Sequence, residues 1–81
     1  MMVHLRLFAL ARDLCGAELI DVPVPAAARV ADLRAALARA YPELSPLTSS
    51  AMFAFEANYV SDDFPLVEGG EVACILPVSG G

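Results

Sequence analysis

The chain has no lysine, one histidine and two cysteines. Without a lysine there is no side-chain amine, so a ubiquitin-type polymer cannot be extended through this surface. With His4 as the lone histidine and no C-x-x-C pair, a zinc site lacks ligands, and no metal is expected. No apolar run approaches the ~18 residues of a membrane span. The opening residues, Met1 to Arg6, lack the long apolar stretch of a secretory signal. The default expectation is therefore a cytoplasmic protein without membrane association, and Cys15 and Cys74 are expected to be free thiols. Repeats, low-complexity tracts and linkers are also missing.

Positive charge is scarce and lies on one side of the sequence. The five basic residues are Arg6, Arg12, Arg29, Arg34 and Arg39, and the formal net charge is −5. Beyond Arg39 every side chain charged at neutral pH is acidic: Glu43, Glu56, Asp62, Asp63, Glu68 and Glu71. This balance is the reverse of what nucleic-acid binding requires. An acidic face near the C-terminus would steer the chain toward a basic pocket on a partner, or would serve only solubility.

The length of 81 residues fits one domain. A chain this short buries only ~60–65% of its unfolded surface. Hydrophobic residues make up 58% of it. Some apolar surface is thus expected to stay outside, as at a protein-docking face.

Alternation predicts a strand over Met2 to Ala9, with Val3, Leu5 and Leu7 on one face and His4, Arg6 and Phe8 on the other. Ala11 to Ala17 is expected to be a connection. Glu18 to Val24 predicts a second strand, placed at an edge because Pro23 cannot donate to a ladder. Val30, Leu33, Leu37 and Tyr41 recur at helical steps and predict a helix over Val30 to Ala40, with Asp32 and Arg39 suited to its dipole. Pro42 stops that helix, while no Ser, Thr, Asp or Asn precedes Val30 to mark its start. Pro46 to Ser50 is expected to be a loop, Met52 to Ala57 a short strand, and Tyr59-Val60 a further one. Turns follow at Asp62 to Pro65 and Gly69-Gly70. Glu71 to Leu76 is the last strand, with Val72, Cys74 and Leu76 on one face. Cys74 is expected in the core rather than as a nucleophile. The sum is an α+β class, a mixed sheet with one main helix, over residues 1–76, followed by a flexible tail over residues 77–81.

That tail reads Pro77-Val78-Ser79-Gly80-Gly81. Two closing glycines pack no side chain, but they let a main-chain carboxylate enter a narrow pocket. Either the end is frayed or the carboxylate itself is the reactive group.

The chain resembles the MoaD/ThiS sulfur carriers, and among them the small subunits of molybdopterin synthase. The matching residues are Phe8-Ala9-x-x-Arg12-Asp13-Leu14-x-Gly16, the V-x-x-L-R at Val30 to Arg34, Tyr59-Val60, Pro65-Leu66, Gly69-x-Glu71-Val72-Ala73, and Pro77 to Gly81. The resemblance departs from the family pattern at Leu76, where a proline is usual, at Gly70, where an acid is usual, and at Glu56, where an asparagine is common.

The resemblance implies a β-grasp, ubiquitin-like fold. It implies that Gly81 is converted to an acyl-adenylate and then to a thiocarboxylate, which delivers sulfur to cyclic pyranopterin monophosphate. The protein would be a donor subunit without acid or base groups of its own. It would bind no cofactor, with ATP used by the activating enzyme. The implied partners are the large subunit of molybdopterin synthase, the adenylating enzyme and a sulfur-donor protein. Pro77, Val78, Ser79 and Gly80 would be the docking segment, with a span of roughly 16 Å when the last five residues are extended. Phe8, Ile75 and Arg12 are candidates for an interface beside it. The alternatives are a carrier for thiamin-thiazole synthesis, a protein modifier joined through Gly81, an interaction module with an inert tail, and a persulfide carrier acting through Cys15.

Overall fold

The computed structural model describes residues 1–76; the expected tail, Pro77 to Gly81, lies outside the described residues. The elements in order are β1 (Met2–Leu7), α1 (Ala9–Cys15), β2 (Leu19–Pro23), α2 (Val30–Ala40), a 3-10 turn (Pro42–Leu44), α3 (Ser45–Thr48), β3 (Met52–Phe55), β4 (Asn58–Val60) and β5 (Glu71–Ile75). The sheet order is β2-β1-β5-β3-β4. Its β1–β5 pair is parallel and the other three pairs are antiparallel, which gives the mixed sheet expected from the sequence.

The predicted alternation holds on β1, where Val3, Leu5 and Leu7 are buried. Parallel pairing sets Leu5 opposite Val72 and Leu7 opposite Cys74. Antiparallel pairing then sets Cys74 opposite Phe53. One face of three strands thus meets the apolar stripe of α2, namely Val30, Leu33, Ala36 and Leu37. Each large side chain so buried contributes on the order of 1.5–3 kcal/mol. β2 occupies an edge, as Pro23 foretold.

The helix start that lacked a sequence mark is capped from elsewhere. Asp32 Oδ2 accepts the Arg29 N–H at 2.8 Å. The Val30 and Ala31 N–H groups donate to the carbonyls of Phe64 and Asp62, both at 3.0 Å. Three of the donors around a helix N-terminus thereby find acceptors, two of them across the fold.

Several sequence expectations are corrected. The span Ala11 to Ala17 is largely helix rather than connection: α1 begins at Ala9 and ends at Gly16, whose φ of 73° is left-handed and whose N–H donates to Arg12 O. Good helix formers fill the segment, and glycine closes it at the position that favours it. β1 accordingly stops at Leu7, and Ala9 (φ 46°) turns the chain into α1. Within Pro46 to Ser50, residues as far as Thr48 belong to α3; Thr48 is buried and its Oγ1 donates to Ser45 O at 3.1 Å. β3 ends at Phe55, because Glu56 (φ 50°) and Ala57 (φ 67°) form the two-residue turn into β4.

Candidate functional site

The site is best followed from β5, the central strand. Its inward residues Val72 and Cys74 enter the core, so Glu71, Ala73 and Ile75 face the side of the sheet opposite α2. The registers assemble that outer face row by row. One row reads Asp21, His4 and Glu71, the next Leu19, Arg6, Ala73, Ala54 and Tyr59, and a third pairs Ile75 with Met52.

The face therefore changes character along β5. Where β5 begins it is ionic. Arg6 Nε donates to Glu71 Oε2 at 2.8 Å, and His4 Nδ1 lies 2.5 Å from Asp21 Oδ1. The hydrogen bond from Arg6 holds the Glu71 carboxyl below its usual range, and the same bond raises the Arg6 guanidinium. Both groups are solvated, so the pair orients side chains more than it stabilises the fold. Where β5 ends, the face is apolar and open. Phe8 and Met52 are each 46% exposed there, and Tyr59, in the adjoining row, is 66% exposed. Between the two ends lies an open hollow of about 560 Å³, lined by Arg6, Phe8, Ala54, Phe55, Glu71 and Ala73 among others. The small side chains Ala54 and Ala73 make its floor, and larger ones stand around it.

Among the candidate interface residues, Phe8 and Ile75 belong to this apolar end. Phe8 lies one residue past the Leu7–Cys74 pair, and Ile75 one residue past it on β5. Arg12 is not with them in the hollow. It sits on α1 with its guanidinium 3.7 Å from Glu18 and 3.8 Å from Asp13. Gly81 and the docking segment Pro77, Val78, Ser79 and Gly80 lie outside the described residues. Sequence reasoning missed Met52, Tyr59 and Leu19 as members of the face. The signal was present on β3, since an inward Phe53 forces Met52 and Ala54 outward. The pairing that brings Tyr59 and Leu19 into the same row is tertiary.

No thiol here is tuned for attack. Burial pushes the Cys74 thiol up to about 11, with Cys15 adding to the rise and Arg34 opposing it. Burial and then Glu43 also raise the Cys15 thiol. Both shifts favour the neutral form, against a persulfide route through Cys15. Among the described residues no group of three His, Cys, Asp or Glu side chains could hold a metal ion, and no helix is long and apolar enough to cross a membrane.

The chain and its fold have relatives. A sequence model described as ThiS family matches residues 5–81. The molybdopterin synthase sulfur carrier subunit of Chlamydomonas reinhardtii is 32% identical over the full length of both chains. Among solved structures, SAMP1 from Haloferax volcanii superposes with a TM-score of 0.82 at 26% identity, covering 100% of both chains. A putative molybdopterin converting factor, subunit 1, from Pyrococcus furiosus does so with a TM-score of 0.82 at 26% identity, covering 96% of this chain and 99% of its own. The common fold is the ubiquitin-like β-grasp that the resemblance implied.

Proposed function

The chain belongs to the ThiS family, and from that premise we propose that it is the sulfur-carrying small subunit of a molybdopterin synthase. The observation that carries this reading is the end-to-end likeness to the algal sulfur carrier subunit. The likeness to a converting-factor subunit 1 supports it and favours the molybdopterin branch over the thiazole one.

A carboxylate is a poor electrophile. In the proposed cycle an adenylating enzyme joins the Gly81 carboxylate to the α-phosphate of ATP and releases pyrophosphate. The resulting mixed anhydride carries AMP as a good leaving group. Sulfur at the sulfide level, supplied by a donor protein, attacks the acyl carbon and expels AMP, leaving a thiocarboxylate. That sulfur, a soft anion at neutral pH, would bond to a pyranopterin carbon in the large subunit in place of an oxygen substituent, and water would cleave the acyl–sulfur bond, returning the Gly81 carboxylate. One carrier brings one sulfur, so a dithiolene takes two. The acid and base groups come from the partners, and the thiol shifts in this chain are consistent with a passive carrier. Pro77 to Gly80 would be the segment that enters the partner's pocket. The apolar end of the outer face, with Phe8, Ile75, Met52 and Tyr59, would seat the large subunit beside it. Arg12, already held near Glu18 and Asp13, would be a rim contact at most.

The deciding measurement is the intact mass of the protein after incubation with its host's adenylating enzyme, ATP and a sulfur donor. The expected result is an oxygen-to-sulfur exchange mapped to Gly81, absent without ATP and absent when Gly81 is deleted. No exchange, with the enzyme active on a known carrier, sinks the proposal. The likeness to SAMP1 favours a second reading as a protein modifier. That reading predicts covalent conjugates through Gly81 to partner lysines. With no lysine of its own, the chain would add once per site and not polymerise through side chains.

A further inference from the structure

Among the described residues, strand pairing along β5 stops at Ile75. On the β1 side the last pair is Leu7 with Cys74, because β1 ends there and Ala9 (φ 46°) turns the backbone into α1. On the β3 side the last pair is Met52 with Ile75, because Met52 is the first residue of β3. Leu76 lies one residue beyond both ladders. Its side chain is nevertheless only 6% exposed and belongs to the core with Val72 and Cys74, continuing their inward alternation.

We propose that Leu76 is a positioning residue: its side chain, the last to enter the core among the described residues, fixes the point on the body from which the chain beyond it starts. This rests on the carrier reading of Gly81 given above. Five extended residues reach roughly 16 Å, so the origin of that reach decides whether the terminal carboxylate meets a partner's reacting groups. Freeing residue 76 adds a residue to be ordered on entry and lets the origin swing, and both effects oppose binding. The anchor is a side chain rather than a ladder pair. Leu76 takes part in no strand pair, so a substitution there removes none directly.

The test uses the full chain with its host's adenylating enzyme. Initial rates of ATP–pyrophosphate exchange, measured against carrier concentration, give KM and kcat for each variant. Leu76→Ala is expected to raise KM about tenfold with kcat within about twofold, because looseness is a cost of entry and not of chemistry. Leu76→Met restores the wild-type KM. Leu76→Val gives an intermediate KM and serves where Leu76→Ala does not fold. The amide order parameter at position 76 reports the anchor directly. It is expected near ~0.85 in wild type and below ~0.6 in Leu76→Ala. An unchanged KM and a rigid amide in Leu76→Ala overturn this inference alone. No exchange with the wild-type chain, by an enzyme active on its own carrier, overturns the carrier reading and this inference with it.

Discussion

Cys74 shows how much one position in this sheet is decided by its neighbours. It sits on the central strand opposite Leu7 on one side and Phe53 on the other, and it is fully buried. Taking a thiolate out of water is what drives its thiol up to about 11. A raised thiol pKa means the reactive thiolate is scarce throughout the neutral range. Treatment with iodoacetamide near pH 8 is therefore expected to modify the half-buried Cys15 first. Cys74 should react only after denaturant is added, as peptide mass mapping would show. Equal native rates at the two thiols would contradict the burial. The core placement of Cys74 was legible in the sequence, because Val72, Cys74 and Leu76 alternate with less buried residues. The placement of Arg12 was not legible in the same way. The motif that flags Arg12 contains Asp13 but does not reveal that Asp13 and Glu18 lie 3.8 and 3.7 Å from its guanidinium, away from the hollow.

Among the elements, α2 was read with the same limits that the structure gives it, because a stripe of Val30, Leu33 and Leu37 has a single helical interpretation. What the stripe did not reveal is Arg34, which leaves the helix sideways and binds three other segments. Its Nη1 donates to the carbonyls of Thr48 and Ala51, its Nη2 donates to Asp62 Oδ1 at 2.8 Å, and its guanidinium carbon lies 5.0 Å from the centre of the Phe53 ring. Arg34→Met is expected to cost about 2–4 kcal/mol in urea unfolding, since it strands two carbonyls in a partly buried place. Arg34→Lys should recover less than half of that, because one ammonium cannot span the fork of acceptors. A loss below about 0.5 kcal/mol would mean that water replaces the guanidinium freely. α1 and α3 escaped the sequence because they are short. Seven residues with only Ala11 buried, and four with only Thr48 buried, hold too few inward positions for a period to show. Gly16 was the available signal for α1, as a glycine one step past Ala-Leu-Ala-Arg-Asp-Leu-Cys.

At the scale of the molecule, the strand made last in the chain is the one in the middle of the sheet. β5 pairs with β1 across a separation of about 67 residues along the chain, as in the His4–Glu71 and Leu7–Cys74 pairs. Without it the β2-β1 and β3-β4 hairpins share no strand. A chain ending at Gly70 is therefore expected to remain unfolded, with collapsed amide dispersion in NMR. A chain ending at Leu76 keeps every core residue of the described part and should melt within about 3 °C of the full-length protein. Folding of the shorter fragment would show that the hairpins and α2 suffice without their central strand. The sequence by itself determined the period of each long element, the inward set on β1 and β5, the edge placement of β2 and the family-like closing motif. These follow from local alternation, proline chemistry and residue identity, none of which needs a distant partner. The tertiary structure decided the rest: the strand order that turns Leu19, Ala73, Ala54 and Tyr59 into one row, the remote carbonyls that cap α2, and the pairing that ends at Ile75 and leaves Leu76 outside both ladders. Each of these depends on groups far apart in the chain meeting across a pairing register, and no local pattern records that register.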